Sequence, residues 1–141
     1  MNFHRIKTFL FFTIAQLPMK GQTRSIIVRW GGVNIGTNCF VGSKVSFDTI
    51  NPQNIHIGNG VHITLGVVIL THYLDTRFEG TTWRTGHVYI DDGAFVGANT
   101  IICKDVRIGK NSIVASGSVV TKDIPDNEIW GGNPARFIKK R

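Results

Sequence analysis

His72, in the segment Ile69-Leu-Thr-His-Tyr73, is the strongest candidate for acid–base chemistry in the sequence. An imidazole with an ordinary pKa of roughly 6.5 can accept a proton from a weak nucleophile, such as a hydroxyl group, at neutral pH. The chain leaves its regular pattern directly after His72 for a long segment, Tyr73 to Gly86, and side chains at such exits are commonly functional. A lone histidine more often has a structural role, so this assignment depends on the surrounding motifs.

The bulk composition fits a single ordered domain with a basic surface. The chain has 141 residues, of which 42% are hydrophobic and 18% are charged. Its 16 Lys and Arg against 9 Asp and Glu give a net charge of +7, which suits an anionic partner such as nucleic acid, a membrane surface or a phosphorylated cofactor. Cys39 and Cys103 match no metal or redox spacing, which favours the reducing cytoplasm, with a disulfide between them as the alternative.

A repeat of six residues runs through most of the chain. From residue 90 the first position of every hexad is Ile or Val, namely Ile90, Val96, Ile102, Ile108, Val114 and Val120. The fifth position is small or β-branched, namely Ala94, Thr100, Val106, Ser112, Ser118 and Ile124. The pattern also runs from Ile35 to Phe47 and from Ile57 to Ile69. The frame shifts at 48–54 and again after residue 72, where loops are predicted to protrude.

This period predicts an all-β fold, a parallel β-helix of about four to five coils. Each hexad supplies one short strand and one turn, and three hexads make a triangular coil of about 18 residues whose aliphatic first positions point inward and stack. An antiparallel sandwich would instead alternate every two residues, with turns every 8–12 or so. We therefore expect an N-terminal helix and linker (1–24), the β-helix (25–125) with a loop at 73–87, and a C-terminal segment (126–141).

The first residues combine basic side chains with an apolar run that ends at Leu17-Pro18. The run is shorter than the roughly 20 residues that span a bilayer, and no small-x-small cleavage site follows it. Apolar side chains recur at helical spacing, at Phe3, Ile6, Phe9, Leu10, Thr13, Ile14 and Leu17. We expect an amphipathic helix that packs this face against its own protein, with contact to a membrane surface as the alternative.

Over residues 33–140 the sequence resembles the maltose and galactoside O-acetyltransferases, a superfamily that includes capsule and lipopolysaccharide O-acetyltransferases. The resemblance rests on the aliphatic-Gly hexads, the long loop after Thr71-His72, the run from Ala115 to Pro125 (ASGSVVTKDIP) and the closing Gly131-Gly-Asn-Pro-Ala-Arg136. It implies a left-handed β-helix, a homotrimer and acetyl-CoA as donor. Handedness comes from the resemblance alone, because most crossover connections are right-handed.

The resemblance also implies roles for particular residues. His72 matches the general base, which faces a cleft between subunits, although Tyr73 follows it where these relatives usually have proline. The pantetheine arm of the donor would contact Ala98, Ser116, Thr121 and Lys122. Arg136 and Lys139 match basic residues that meet the nucleotide phosphates of coenzyme A.

The acceptor side is less well defined by the sequence. Asp48 and Asn51 lie where relatives place acceptor-binding polar groups. The loop after His72 carries aromatic and charged residues that suit either a sugar or a neighbouring subunit, namely Asp75, Arg77, Phe78, Glu79, Trp83 and Arg84. Trp83 is the substrate-binding candidate among them.

Taken together, these features predict an acetyl-CoA-dependent O-acetyltransferase that acts on a sugar hydroxyl in polysaccharide or lipopolysaccharide biosynthesis, with direct transfer assisted by His72. It would work in the cytoplasm, and the aromatic N-terminal helix suggests the inner face of the membrane and a lipid-linked acceptor. Other acceptors stay open: an amino sugar, serine or an antibiotic. No metal is expected. A γ-carbonic-anhydrase zinc site needs two histidines about five residues apart, and no two histidines in this sequence have that spacing. A non-enzymatic β-helix is the remaining alternative. No nucleic-acid-binding module is recognisable.

Overall fold

The computed structural model describes residues 2–77, 80, 82–103 and 105–141. Two helices open the chain, α1 (Phe3–Ile14) and α2 (Gly21–Trp30). The strands, in chain order, are β1 (Asn34–Ile35), β2 (Phe40–Val41), β3 (Ser46–Phe47), β4 (Ile55–Ile57), β5 (His62–Ile63), β6 (Val68–Ile69), β7 (His72–Asp75), β8 (Thr82–Thr85), β9 (Val88–Ile90), β10 (Phe95–Val96), β11 (Ile101–Ile102), β12 (Val106–Ile108), β13 (Ile113–Val114), β14 (Val119–Val120), β15 (Glu128–Gly131) and β16 (Arg136–Lys140).

Three parallel sheets form the sides of a triangular β-helix. The first sheet contains β1, β4, β9 and β12, and the third contains β3, β6, β11 and β14. The second contains β2, β5, β10, β13 and β15, with β16 antiparallel at its edge. These strands make four complete coils, and β15 adds a fifth layer to one side. The predicted parallel β-helix of about four to five coils is therefore confirmed.

The first positions of the hexads form three stacked columns in the core. In the first sheet Ile35 pairs with Ile57, Ile90 and Ile108 through successive strands. The other columns run from Val41 to Val114 and from Phe47 to Val120. Nearly all these side chains are fully buried. Since burying one Val or Ile stabilises a fold by roughly 1.5–3 kcal/mol, the columns account for the strict period.

Two coils are longer than the regular repeat. Ile90 pairs with Ile108 after 18 residues, whereas Ile35 pairs with Ile57 after 22 and Ile57 with Ile90 after 33. The first extra segment contains a 3₁₀ turn at Pro52–Asn54, and the second contains the antiparallel hairpin β7–β8. Both protrusions were predicted. Both leave from one corner, between the third and first sheets, which we name the His72 corner.

Helix α2 corrects the predicted start of the β-helix. The β-helix was expected to begin at residue 25, after a helix and linker that end at residue 24, but α2 extends from Gly21 to Trp30. This helix packs on β1 and β2 and buries Val28 completely. The buried guanidinium of Arg24 donates to the backbone carbonyls of Ala15 and Val41. A helix is favoured over a strand here because it covers the open end of the first coil, where the core would otherwise be exposed.

Helix α1 exists as predicted, but it packs on the protein with a different face. Its buried side chains are Thr8 and Phe12, with Ala15 just beyond its end, whereas most of the predicted apolar stripe faces outward. Thr8 donates to the carbonyl of Gly31, and Phe12 contacts Phe47 with 5.8 Å between ring centroids. The hydrogen bond and the ring contact fix the rotation of the helix. None of the described helices is long and apolar enough to cross a membrane.

The C-terminal residues complete the second sheet. β15 pairs in parallel with β13, and β16 folds back on β15 through a turn that includes a cis peptide bond at Asn133–Pro134. Part of the predicted separate segment 126–141 is therefore a layer of the β-helix. The turn places the basic strand β16 on the outside, with its residues exposed.

Candidate active site

His72 and Asp48 form a hydrogen-bonded pair at the His72 corner. Nδ1 of His72 lies 2.5 Å from Oδ2 of Asp48. His72 is the first residue of β7, where the chain leaves the second coil, and Asp48 follows β3, where it leaves the first. The imidazole is 26% exposed, whereas the carboxylate is fully buried. The imidazole of His72 is therefore partly accessible to solvent, whereas its Nδ1 contacts a buried carboxylate.

Further hydrogen bonds from Thr71 and the backbone hold the Asp48 carboxylate. Thr71 donates to Oδ2 through its backbone N–H (2.9 Å) and its hydroxyl (2.6 Å), and the backbone N–H of Ile50 donates to Oδ1 (2.8 Å). Burial alone would raise the pKa of Asp48, but the hydrogen bonds from Thr71, His72 and the backbone outweigh it and lower the pKa to about 2. Asp48 is therefore ionised at neutral pH.

The ionised Asp48 determines the protonation pattern of the imidazole. A carboxylate can only accept, so Nδ1 of His72 must carry the proton that joins the two groups. In the neutral ring the lone pair is then on Nε2, the nitrogen on the other side of the ring from Asp48. This arrangement allows Nε2 to accept a proton, and the buried negative charge stabilises the imidazolium that results.

Trp83, on β8, forms one wall beside the imidazole. Its ring centroid is 5.4 Å from that of His72, with a tilt of 48°, and the side chain is 67% exposed. The hairpin register brings the two together, since His72 pairs with Thr85 and Leu74 with Trp83. An exposed indole next to a candidate base provides an apolar surface for a ligand.

Buried Asp75 organises the hairpin that carries Trp83. Its carboxylate accepts two hydrogen bonds from the Arg77 side chain, at 2.9 and 2.8 Å, and lies 3.4 Å from Nε of Arg84. The hydrogen bonds from Arg77 hold the pKa of Asp75 well below its usual range. Phe78 and Glu79, which were considered with this loop, lie outside the described residues.

The predicted contact of Asp48 with the acceptor disagrees with the position of its side chain. Asp48 was expected to contact the acceptor, but its oxygens are buried and point to Thr71, Ile50 and His72. Half-buried Asn51 contributes its backbone, because its N–H approaches Asp48 and its carbonyl approaches the Thr71 hydroxyl, both at 3.5 Å. The sequence contained a signal for this pair: the two frame shifts lie one coil apart at one corner.

The predicted donor residues occupy two different corners of the β-helix. Thr121 and Lys122 follow β14 at the His72 corner, two layers above His72, which is about 10 Å at the spacing of parallel strands. Ala98 and Ser116 follow β10 and β13 at the corner between the second and third sheets, which we name the Ala98 corner. The backbone N–H of Gly117 donates to the carbonyl of Ala98 (2.7 Å). Ala98 and Ser116 therefore lie one above the other in adjacent coils. Arg136 and Lys139 are exposed on β16, and Lys139 pairs with Ile129.

Three further histidines, His56, His62 and His87, lie in or next to the coils. His56 on β4 and His62 on β5 are in different sheets. Nδ1 of His87 is 3.1 Å from Nε2 of His56. Burial, together with the nearby His87 and Arg107, lowers the pKa of His56. Within the described ranges, no group of three or more His, Cys, Asp or Glu side chains could hold a metal ion.

The fold and the site together define a class: proteins built from hexapeptide coils, with a histidine exposed where one coil opens into a loop. Two family models match the chain. "Bacterial transferase hexapeptide (six repeats)" covers residues 87–122, and "Hexapeptide repeat of succinyl-transferase" covers residues 32–71. The first match contains the regular coils, and the second ends next to His72.

Similar proteins agree with this class. Protein CapG of Staphylococcus aureus is 41% identical over 86% of this chain and 73% of its own length. The galactoside O-acetyltransferase of Lactococcus lactis is 36% identical over 75% of this chain and 62% of its own length. A crystal structure of the hexapeptide-repeat acetyltransferase VCA0836 of Vibrio cholerae, complexed with acetyl coenzyme A, superposes with a TM-score of 0.81 at 22% identity and covers 97% of this chain and 86% of that one.

The chain therefore belongs to the hexapeptide-repeat acetyltransferase family. The superposition confirms the predicted left-handed β-helix, and the family is one of acyl-transferring enzymes.

Proposed function

We propose that this protein transfers the acetyl group of acetyl-CoA to a hydroxyl group of a sugar, with His72 as the general base. The observation that carries the proposal is the hydrogen bond between His72 and the ionised, buried Asp48. It leaves the lone pair of the neutral ring on Nε2 and stabilises the protonated ring. A relative named galactoside O-acetyltransferase and a structural neighbour complexed with acetyl coenzyme A support the two substrates.

In the proposed reaction Nε2 of His72 takes the proton from the acceptor hydroxyl while its oxygen attacks the thioester carbonyl. The oxyanionic intermediate reforms its carbonyl by breaking the bond between carbon and sulfur. The imidazolium then returns the proton to the departing thiolate, which restores neutral His72. Asp48 stays ionised throughout: it keeps the ring oriented and offsets its transient positive charge.

Donor binding is assigned to residues at both corners. Lys122 and Thr121 would contact the donor from the His72 corner, and Ala98 and Ser116 from the Ala98 corner, with Arg136 and Lys139 as cationic partners for phosphates. Within one protomer the two corners are separated by the whole third sheet. A second copy packed against that sheet would bring one corner of each copy together, which supports a homotrimer with its sites between subunits.

The outward side of the third sheet suits such a contact. Ser46, Val68, Ile101 and Val119 are register partners in adjacent strands and form a ladder on this side that is apolar except for Ser46. The corresponding ladder of the first sheet is polar, with Asn34, His56, Tyr89 and Arg107. Apolar ladders are typical of surfaces buried in stable oligomers.

For the acceptor, the proposal is a carbohydrate that stacks on Trp83, with Asn51 as a nearby polar residue. An exposed indole beside the base suits the apolar face of a sugar ring better than a small amino acid. We extend the proposal to polysaccharide or lipopolysaccharide precursors modified in the cytoplasm.

The experiment measures release of free coenzyme A with a thiol reagent, using acetyl-CoA and a panel of galactosides, maltose, amino sugars and serine. We expect turnover with a sugar hydroxyl and a loss of roughly 10²–10⁴ in kcat for His72→Ala. His4→Ala is the matched control, because His4 lies exposed on α1. Unchanged turnover in His72→Ala would remove His72 from its role, and turnover with serine alone would overturn the assignment of a sugar.

A further inference from the structure

Helix α1 carries large, exposed apolar side chains on the side opposite its packed face. Its packed residues are Thr8, Phe12 and Ala15. Because each residue of a helix is rotated by about 100° from the one before, residues three or four apart lie on the same side, so these three define one side of the helix. The opposite side carries large, exposed apolar side chains: Phe3 (81% exposed), Ile6, Phe9 (67%), Leu10 and, just beyond the helix, Leu17. These side chains form one stripe, which we name the α1 stripe.

Positive charge is concentrated in the first third of the chain, which contains the α1 stripe. Residues 1–47 contain six Lys or Arg and no Asp or Glu, so they supply +6 of the net charge of +7. Arg5 and Lys7 flank the stripe on its two sides, and both are exposed. Lys20, at the start of α2, and Lys44, between β2 and β3, are also exposed. Arg24 is buried, and Arg24 and Arg29 both donate to backbone carbonyl groups. The first acidic residue is the buried Asp48.

An apolar stripe flanked by cations fits an anionic lipid surface better than a second copy of the chain. A second copy of the chain would bring an equal positive charge against the stripe, and like charges facing each other destabilise a contact. An anionic lipid surface matches both properties: the apolar side chains enter the boundary between headgroups and acyl chains, and the flanking cations reach the phosphates. Stripes of this type with basic flanks are typical of helices that lie in the plane of a membrane surface.

We propose that α1 docks this protein in the plane of an anionic lipid bilayer. The helix is closely connected to the candidate active site, because its Phe12 packs on Phe47, and Asp48, the partner of His72, is the next residue. Docking would hold the His72 corner near the headgroup layer, where the sugar of a lipid-linked acceptor lies. The docking itself is independent of the identity of the acceptor.

The test compares sedimentation of the purified full-length protein with two kinds of vesicle, phosphatidylcholine alone and an equal mixture of phosphatidylcholine and phosphatidylglycerol. We expect binding to the mixed vesicles, little to phosphatidylcholine alone, and weakening by salt. The variant Phe9→Ser/Leu10→Ser should bind at least about tenfold more weakly. Phe137→Ser/Ile138→Ser, a matched pair of exposed side chains on β16, should bind like the wild type.

A second variant separates the contribution of charge and covers the case in which the first pair fails to fold. Arg5→Glu/Lys7→Glu should also lose binding, whereas Lys110→Glu/Lys122→Glu, with the same change of charge in the coils, should retain it. Circular dichroism and turnover of a water-soluble acceptor should be unchanged in Phe9→Ser/Leu10→Ser, so that loss of docking is distinguishable from failure of the proposed reaction.

Three outcomes would overturn the proposal. The first is wild-type protein that stays in the supernatant with mixed vesicles, and the second is equal binding by wild type and both α1 variants. The third is a change of oligomeric state in Phe9→Ser/Leu10→Ser, measured by analytical ultracentrifugation, with vesicle binding unaltered. That result would assign the α1 stripe to a contact between copies.

Discussion

Asp48 and His72 are 24 residues apart in the sequence, and their side chains are joined by a hydrogen bond of 2.5 Å. They meet because the chain leaves the same corner of the β-helix in two successive coils. Phe47, which precedes Asp48, pairs with Ile69, three residues before His72. Stacking of the coils thus brings the two interruptions of the repeat together, so that Asp48 from one contacts His72 from the other.

The first prediction concerns the charge of Asp48. Asp48→Asn keeps the shape of the side chain but removes the charge that stabilises the imidazolium, and its amide can donate to Nδ1 and favour the wrong tautomer. We expect kcat to fall by about 10²–10⁴, with the KM for acetyl-CoA little changed. Steady-state kinetics at several pH values measure both parameters.

A matched control for this substitution is Asp92→Asn. The carboxylate of Asp92 also accepts a backbone N–H, from Asn59 at 2.7 Å, but it lies in a turn away from the His72 corner. Its kcat should remain at the wild-type level. Equal activity of Asp48→Asn and wild type would show that the buried charge has no part in the reaction.

The second prediction concerns stability in acid. Because the folded protein lowers the pKa of Asp48 from 3.8 to about 2, ionised Asp48 stabilises the fold above the unfolded pKa, and this contribution disappears as the pH falls from about 4 to 2. Its size is at most about 2.5 kcal/mol. Urea unfolding between pH 6 and 2 or so, followed by circular dichroism, should show this loss in the wild type and a smaller pH dependence in Asp48→Asn. Parallel curves for the two proteins would contradict the linkage.

The third prediction concerns Trp83, which lies beside His72 at 5.4 Å between ring centroids. Trp83→Ala removes an exposed surface for the acceptor, so its KM should rise about tenfold while the KM for acetyl-CoA stays near the wild-type value. Trp83→Phe should restore much of the lost affinity, since a ring remains. Trp30→Ala, another exposed tryptophan on α2, serves as the control. A rise in the KM for acetyl-CoA instead would place Trp83 on the donor side.

The coils were predictable because their cause is local and repeated. Each inward Ile or Val faces the same environment one coil above, so the period of six appears directly in the sequence, and the interruptions at 48–54 and after 72 stand out against it. The side chain of His72 could be selected for the same reason. Its position is defined relative to a break in a pattern with a known geometry.

The rest depends on contacts that no local pattern encodes. The β-branched run at Ile26–Val28 favours a strand, and only the open end of the first coil makes it a helix. The rotation of α1 is decided by Thr8 and Phe12, which meet Gly31 and Phe47, so the most regular apolar stripe remained outside. The partner of His72 depends on four extra residues in the first coil, whose path only the folded chain reveals.

The fourth prediction tests whether the two predicted donor corners come from different copies. His72→Ala disables the His72 corner, and Ser116→Trp fills the Ala98 corner with a bulky side chain. Each variant alone should be nearly inactive. Unfolded together in equal amounts and refolded, they should regain about a quarter of wild-type activity, because in a cyclic oligomer that fraction of sites combines an intact His72 corner from one copy with an intact Ala98 corner from the next. If both corners served one site within a protomer, every protomer in the mixture would carry a defect and activity would stay near zero. Size-exclusion chromatography of each variant must show the wild-type assembly, and Lys110→Ala mixed with His72→Ala supplies the reference, since its sites are intact and the mixture should retain about half of the activity.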